Sequence, residues 1–135
     1  METMRIGTHL RRRDHVPVLD VVGEIDIYTT PQFKEAVSEA LSNSEPSIII
    51  NMAQVTYMDS SGFGTLLSAT KRLRPLDGAL YLIACNEAIL RMLQITRLNT
   101  IFGVFNTEDE AVEAISASVK SGVTAASPAA QAAPA

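Results

Sequence analysis

Residues 57–67, YMDSSGFGTLL, carry an acid, two adjacent hydroxyls and two glycines between two hydrophobic stretches. Residues of these types suit the junction of a strand with a helix, where Asp or Ser accepts a hydrogen bond from a free backbone N–H. Glycine at the same place lets the helix begin close to the sheet. The hydroxyls could also do chemistry, either as a nucleophile or as the acceptor of a phosphoryl group.

Nucleophilic catalysis has little support in the sequence. The nucleophile elbow of serine hydrolases requires G-x-S-x-G, and neither Ser60 nor Ser61 has a glycine two residues before it. The two histidines, His9 and His15, show no feature that marks a general base. The stretch SGFGTL lacks the third glycine and the G-K-[ST] ending of phosphate-binding loops, and one cysteine with two histidines gives no metal-ligand spacing. We therefore expect a protein that is not an enzyme and that needs no cofactor or metal.

A serine at this junction can instead be the substrate of another protein. Phosphorylation adds about −1.5 to −2 charges, and the helix dipole returns only about 0.3–1 kcal/mol per charge. Asp59 is adjacent, and Asp26, which follows the second predicted strand, is expected at the same end of the sheet. Two unit charges about 5 Å apart repel by roughly 3 kcal/mol at an effective dielectric constant near 20. A bound partner would feel the same field, so capping alone and a binding switch both remain open at this point.

The elements that must position this segment begin with a hairpin. MRIGTHL and VPVLDVVGEI are rich in β-branched residues and flank the polar turn RRRDH. In the second strand, Leu19 and Val21 should face one side of the sheet, and Asp20 and Val22 the other. The triplet at positions 11–13 is interpreted as solvated charge, with a docking patch for an acidic partner as the alternative.

Helices and strands alternate after the hairpin. The first helix is predicted to begin with a capping box of Thr29 and Gln32, to hold Pro31 in its first turn and to end near Asn43. SIIINM and ALYLIAC show no alternation, which predicts strands buried on both faces. The first of them should end near Tyr57.

Three further helices are predicted. The second should begin near Gly62, and the third should be capped by Asn86. The residues on the inner side of the third helix are predicted to be Ile89, Leu93 and Thr96. A short strand, IFGVF, precedes a fourth helix that opens with a threonine cap and three acids, which suit the positive end of a helix dipole.

This order predicts an α/β fold with a mixed sheet, because alternating strands and helices form parallel pairs and the hairpin adds an antiparallel strand. A chain of 135 residues with 47% hydrophobic residues can form one domain with a packed core. Residues 1–119 are assigned to this domain. Residues 120–135 are predicted to be a disordered Ala/Ser/Pro-rich tail, since from Ser121 onward there is no charge and almost no large side chain.

Composition also narrows the location and the partners. The chain has 11 basic and 15 acidic residues, and this net charge of −4 argues against binding to nucleic acid. No apolar run approaches the roughly 20 residues of a membrane span. The first 15 residues lack the apolar region of a secretory signal, and there is one cysteine, so we expect a cytoplasmic protein that does not bind a membrane.

Three segments together resemble the STAS domain of bacterial anti-sigma factor antagonists: VVGEIDIYTTPQF, SIIINMAQVTYMDSSGFGTLLSATKRLR and LIACNEAILRMLQITRLNTIFGVFNTEDEAV. The resemblance covers roughly residues 4–119. Its most specific parts are G-E-x-D at residues 23–26 and M-D-S-S-G at residues 58–62. It implies a mixed sheet with about four helices packed mainly on one side, and it favours the switch over capping alone.

What the resemblance implies about function is partner switching. The unphosphorylated antagonist binds an anti-sigma factor that is also a serine kinase of the histidine-kinase-like ATPase fold, and this binding frees a sigma factor. The kinase phosphorylates the first serine of D-S-S-G, here Ser60, and a metal-dependent serine/threonine phosphatase reverses the reaction. The implied partner-binding residues are Asp26, Met58, Asp59, Ser60, Ser61 and Gly62. We expect a monomer or weak dimer, and the alternative is a STAS scaffold subunit of a larger signalling or transport-linked assembly.

Overall fold

The computed structural model describes residues 6–42 and 45–121, which form a five-stranded sheet and four helices. The strands are β1 (Gly7–Arg13), β2 (Val16–Ile25), β3 (Ser47–Met58), β4 (Ala79–Ile83) and β5 (Gly103–Phe105). The helices are α1 (Thr30–Ala40), α2 (Ser60–Leu73), α3 (Glu87–Ile95) and α4 (Glu108–Ser121). The strands lie side by side in chain order, β1 antiparallel to β2 and every later pair parallel. The predicted mixed sheet with an initial hairpin is confirmed.

The order of the parallel strands determines which face of the sheet each helix covers. α1, α2 and α3 each connect two neighbouring parallel strands, and right-handed connections that advance in one direction place their helices on the same face. These helices share one core, in which Phe33, Leu66 and Leu93 are buried. α4 follows the last strand and covers the opposite face through Ala111 and Ile115. The prediction of helices mainly on one side is confirmed.

Burial within the strands agrees with the sequence pattern. In β3, Ile48 and Ile50 face the core of α1–α3 and Ile49 faces α4, and all three are fully buried. The prediction that this strand is buried on both faces is therefore confirmed. In β2, the predicted alternation also holds, since Leu19 and Val21 are buried whereas Val22 on the other face is exposed.

The hairpin turn is shorter than predicted. Only Asp14 and His15 connect the strands, and both have positive φ, 50° and 73°. Two residues with positive φ form the type I′ turn, whose twist matches that of the strands. The prediction that RRRDH forms the turn is wrong, because the three arginines belong to β1 and pair with β2. Asn-Gly is the usual sequence of such a turn, so the Asp-His sequence found here did not predict it.

Arg11 and Arg13 of β1 form ion pairs, which the interpretation of the triplet as solvated charge did not predict. Arg11 pairs with Asp20 at 2.8 Å and with Glu108 at 2.6 Å. Arg13 also pairs with Glu108, at 2.9 Å, and with Asp109. These ion pairs connect the hairpin to the first turn of α4.

The predicted start of α1 is partly wrong. Pro31 lies in the first turn as expected, but Thr29 and Gln32 form no capping box. The Thr29 hydroxyl donates to the Glu24 carbonyl at 2.7 Å and is thus used by the preceding loop. Gln32 instead accepts the N–H of Ile6 at 3.4 Å.

The ends of the helices differ from prediction by a few residues. α1 ends at Ala40, and position 43, its predicted end, lies outside the described residues. α2 begins at Ser60, two residues earlier than predicted. α4 ends at Ser121, two residues past the predicted domain boundary, so the prediction that the tail begins at residue 120 is wrong; residues 122–135 of that tail lie outside the described residues.

The caps of α3 and α4 are those predicted. The Asn86 side chain accepts the N–H of Ile89 at 2.9 Å. The Thr107 hydroxyl accepts the N–H of Glu110 at 3.2 Å, and the Glu110 carboxylate accepts the N–H of Thr107 in return, which is a capping box.

Thr96 is exposed and lies beyond the end of α3, so its predicted place on the inner face is wrong.

Candidate functional site

The two sequence motifs meet at the carboxyl edge of the sheet. β2 ends at Ile25 and β3 at Met58, and these two residues are partners in the parallel pairing. The Asp59 N–H donates to the Ile25 carbonyl at 3.0 Å. The loop that holds Asp26 and the turn that holds Ser60 are therefore neighbours, as expected of the carboxyl ends of adjacent parallel strands.

Asp59 is the N-cap of α2. Its carboxylate accepts the N–H of Ser61 at 2.9 Å and also accepts the Ser61 hydroxyl. These bonds satisfy one of the free donors at the helix start. The hydrogen bond from the Ser61 hydroxyl is the main reason why the pKa of the Asp59 carboxyl lies below its ordinary value, and this group is therefore ionised at neutral pH.

The two serines have different surroundings. The Ser61 hydroxyl is half-buried, donates to Asp59 and lies 2.6 Å from the Thr30 hydroxyl at the start of α1. The side chain of Ser60 is exposed, and its hydroxyl has no hydrogen bond to any residue that the structure describes. Successive helical residues point about 100° apart, which separates the two side chains. Ser60 is the serine whose oxygen another molecule can reach.

Asp26 shapes the loop between β2 and α1. Its carboxylate accepts the N–H groups of Tyr28 at 2.9 Å and Thr29 at 3.0 Å, which is an Asx turn. Because Thr30 at the end of this loop contacts Ser61, the loop and the start of α2 form one hydrogen-bonded unit. Asp26 lies at the predicted edge, with its carboxylate held by its own loop.

Met58 and Gly62 lie beneath the surface of the site. Met58 is only 8% exposed. A Cβ added at Gly62 would lie 2.4 Å from Met58 Cγ and 2.9 Å from Ile25 Cγ2, so no side chain fits there. Glycine thus lets α2 begin against the ends of two strands, and these residues, predicted to bind a partner, lie below the surface that carries Ser60.

Sequence analysis missed the exposed apolar side chains around this edge. Ile27 is 69% exposed and Tyr28 is 84% exposed on the β2–α1 loop, and Tyr57 near the end of β3 is 52% exposed. It also missed the contact of Thr30 with Ser61. The exposure of Ile27 and Tyr28 could have been predicted from their position, because they lie in the short loop between a strand and a helix and so belong to neither buried face.

Two other kinds of chemistry can be compared with the described part of the chain, namely metal binding and thiol reactivity. It holds no group of three or more His, Cys, Asp or Glu side chains that could bind a metal ion. Burial raises the pKa of the Cys85 thiol to about 12, which leaves it protonated at neutral pH and lowers its reactivity. No helix among residues 6–42 and 45–121 is both long and apolar enough to cross a membrane.

Comparison with known proteins gives consistent results. The family model of the STAS domain matches residues 8–111. The anti-sigma-B factor antagonist of Listeria monocytogenes is 35% identical over 109 residues, which are 79% of this chain and 95% of that protein. That of Staphylococcus aureus is 30% identical over 101 residues, 75% of this chain and 94% of the other. The crystal structure of an anti-sigma factor antagonist from Mycobacterium paratuberculosis superposes with a TM-score of 0.76 at 29% identity, over 82% of this chain and 94% of that one.

Proposed function

The chain belongs to the STAS domain family, and from this premise we propose that it is an anti-sigma factor antagonist switched by phosphorylation of Ser60. In its unphosphorylated form it binds an anti-sigma factor with serine kinase activity in the cytoplasm, and a sigma factor is released. The phosphorylated form lets the anti-sigma factor go, and a metal-dependent serine/threonine phosphatase restores binding.

The observation that carries this proposal is the free hydroxyl of Ser60. Phosphoryl transfer requires an acceptor oxygen in line with the γ-phosphate of ATP, so the oxygen must be reachable by a second protein. Ser60 meets this condition because it is exposed and unbonded to any described residue. Ser61 does not, since its hydroxyl is held by Asp59 and Thr30.

The electrostatic surroundings make a phosphoryl group at Ser60 effective. It adds about −1.5 to −2 charges next to the ionised carboxylate of Asp59. None of the bonds that fix the start of α2 involves the Ser60 hydroxyl, so the fold does not depend on it. The added charge therefore acts on the docking surface. Each 1.4 kcal/mol of binding free energy changes the affinity about tenfold, so a repulsion of a few kcal/mol weakens binding about a hundredfold or more.

The exposed apolar side chains at the same edge suit a protein partner. Ile27 and Tyr28 follow β2, and Tyr57 pairs with Glu24 in the neighbouring strand. Large apolar and aromatic side chains at the surface often carry much of the binding energy of an interface. We expect the anti-sigma factor to cover them together with Ser60.

The test is recovery of partners from the native cell with wild type, Ser60→Ala and Ser60→Asp. Ser60→Ala is expected to retain an ATPase-fold protein, identified by mass spectrometry, and Ser60→Asp to lose it. Ser68→Asp is the matched control, because it adds the same charge to an exposed position of α2 about 12 Å further along the helix. Equal recovery with Ser60→Ala and Ser60→Asp would contradict the switch. A large assembly in solution, with no phosphate at Ser60 in the cell, would point to the scaffold instead.

A further inference from the structure

Gly64 is a helical glycine that the fold itself does not require. It lies in α2 and is exposed, and a Cβ added to it would meet no described atom within 4 Å. Its φ is not positive, so other residues can adopt its backbone conformation. Glycine is among the poorest helix formers. The reason for a missing side chain here therefore lies outside the packing of the described residues.

Gly62 provides the contrast within the same motif. A Cβ at that position would collide with Met58 and Ile25, so packing alone explains the glycine. The two glycines are two residues apart on one helix, and only the buried one has a steric reason.

The position of Gly64 relative to Ser60 suggests its role. Residues four apart lie on the same helix face, with their Cβ atoms about 5–6 Å from each other. The Cα–Cβ bonds of a helix tilt toward its N-terminus, so a side chain covers the turn that precedes it. A side chain at position 64 would therefore lean over the Ser60 hydroxyl.

We propose that Gly64 is a positioning residue that keeps the hydroxyl of Ser60 open to the kinase that modifies it. The inference rests on the proposed function, in which Ser60 Oγ forms a bond to the γ-phosphorus of ATP. In that step the bond to the ADP leaving group breaks, and the hydroxyl proton passes to a base of the kinase. A kinase must bring its phosphate-binding groups close to this oxygen, and a side chain one turn away obstructs the approach.

The first experiment measures access without any partner. Ser60→Cys is treated with N-ethylmaleimide, alone and combined with Gly64→Leu, at several pH values so that the rates refer to equal thiolate fractions. Wild type supplies the slow rate of Cys85, whose pKa is raised to about 12 by burial. Leucine at position 64 is expected to slow the modification about tenfold, by covering the thiol as helical side chains do. Ser60→Cys combined with Ser68→Leu, one turn further along the helix, should leave the rate unchanged, and equal rates in Ser60→Cys with and without Gly64→Leu would overturn the inference.

The second experiment separates a functional role of Gly64 from a structural one. Gly64→Ala should raise Tm by about 2–5 °C, because alanine is the better helix former and has room. Gly64→Leu should lower the phosphorylated fraction of Ser60 in the native cell about tenfold, measured by intact mass, because its side chain obstructs the approach of the kinase. If wild type is phosphorylated and Gly64→Leu equally so, the inference fails and the proposed function stands. If wild type is never phosphorylated, the proposed function fails, and the thiol rates still decide whether position 64 controls access.

Discussion

Ser60 and Ser61 are adjacent and chemically identical, yet the fold gives them opposite roles. One residue along a helix turns the side chain by about 100°. That rotation directs Ser61 to Asp59 and Thr30 and leaves Ser60 exposed. The pair thus combines a structural hydroxyl with a reachable one.

Replacing each serine by alanine should separate these roles. Ser61→Ala removes hydrogen bonds of a half-buried hydroxyl and is expected to lower the free energy of unfolding by about 1 kcal/mol. Ser60→Ala should change it by less than about 0.5 kcal/mol, as is usual for an exposed position. Urea denaturation of both variants measures the difference, and equal effects would contradict the assignment of the two hydroxyls.

The two glycines of α2 should respond in opposite directions to alanine. Gly62→Ala forces a Cβ against Met58 and is expected to destabilise the protein by about 1–3 kcal/mol, as overpacking does. Gly64→Ala should stabilise it by about 0.5–1 kcal/mol. Thermal denaturation of the two variants in the same buffer provides the comparison, with each as the control for the other.

The sequence identifies some residues of the site and not others, for a physical reason. Asp59 and Ser60 belong to a local motif, so the strand-to-helix junction and its cap can be predicted from neighbouring residues. The contact between Thr30 and Ser61 joins positions 31 residues apart and depends on the register of β2 with β3. No local pattern carries that register.

At the scale of elements, α4 is attached to the hairpin by charge as well as by packing. Glu108 accepts hydrogen bonds from Arg11 and Arg13, and the Arg11 guanidinium is the main cause that lowers the pKa of the Glu108 carboxyl. The same arginine lowers the pKa of Asp20 on β2. Arg11 therefore connects β1, β2 and α4.

This network should make stability fall in acid. A carboxyl whose pKa is lower in the folded state stabilises the fold fully above its unfolded pKa of about 4.3 and loses that contribution as pH falls through the folded pKa. Wild type should therefore lose about 1 kcal/mol more than Glu108→Gln between about pH 5 and pH 3, the scale of a partly exposed ion pair. Urea denaturation across this pH range measures it, with Glu113→Gln as an exposed control on the same helix.

Helix caps illustrate why elements are predicted better than their details. Thr29–Gln32 and Thr107–Glu110 both fit the spacing of a capping box, and only the second pair forms one. The Thr29 hydroxyl donates to the Glu24 carbonyl and accepts the N–H of Asp26, because the loop after β2 folds back on itself. A local pattern cannot reveal that competition.

At the scale of the molecule, the fold follows from a short set of rules. The alternation of strands and helices gives the parallel sheet, and the handedness of the connections places α1, α2 and α3 on one face. These signals are repeated along the chain, so small errors at the ends of elements do not change the architecture. Whether α4 covers the other face depends on tertiary burial of Ala111 and Ile115.

A negative charge at Ser60 should leave this architecture intact. Ser60→Asp is expected to keep the melting temperature within about 2 °C of that of Ser60→Ala, because its side chain enters no described contact. Amide NMR shifts should change near the carboxyl ends of β2 and β3 and remain constant in α4. Widespread shifts in α4 would indicate a change of fold instead of a change of surface.

The course of α4 has a practical consequence. Val112 and Ile115 of this helix line a hollow of about 330 Å³ beside His15 and Ser47, at the amino edge of the sheet. Ser60 follows the far end of β3, a strand of 12 residues and thus roughly 35–40 Å long. A fluorophore or resin joined to the exposed position Ser116, which lines the same hollow, would lie at the edge of the sheet opposite to Ser60. Such a tether would keep Ser60 away from the support.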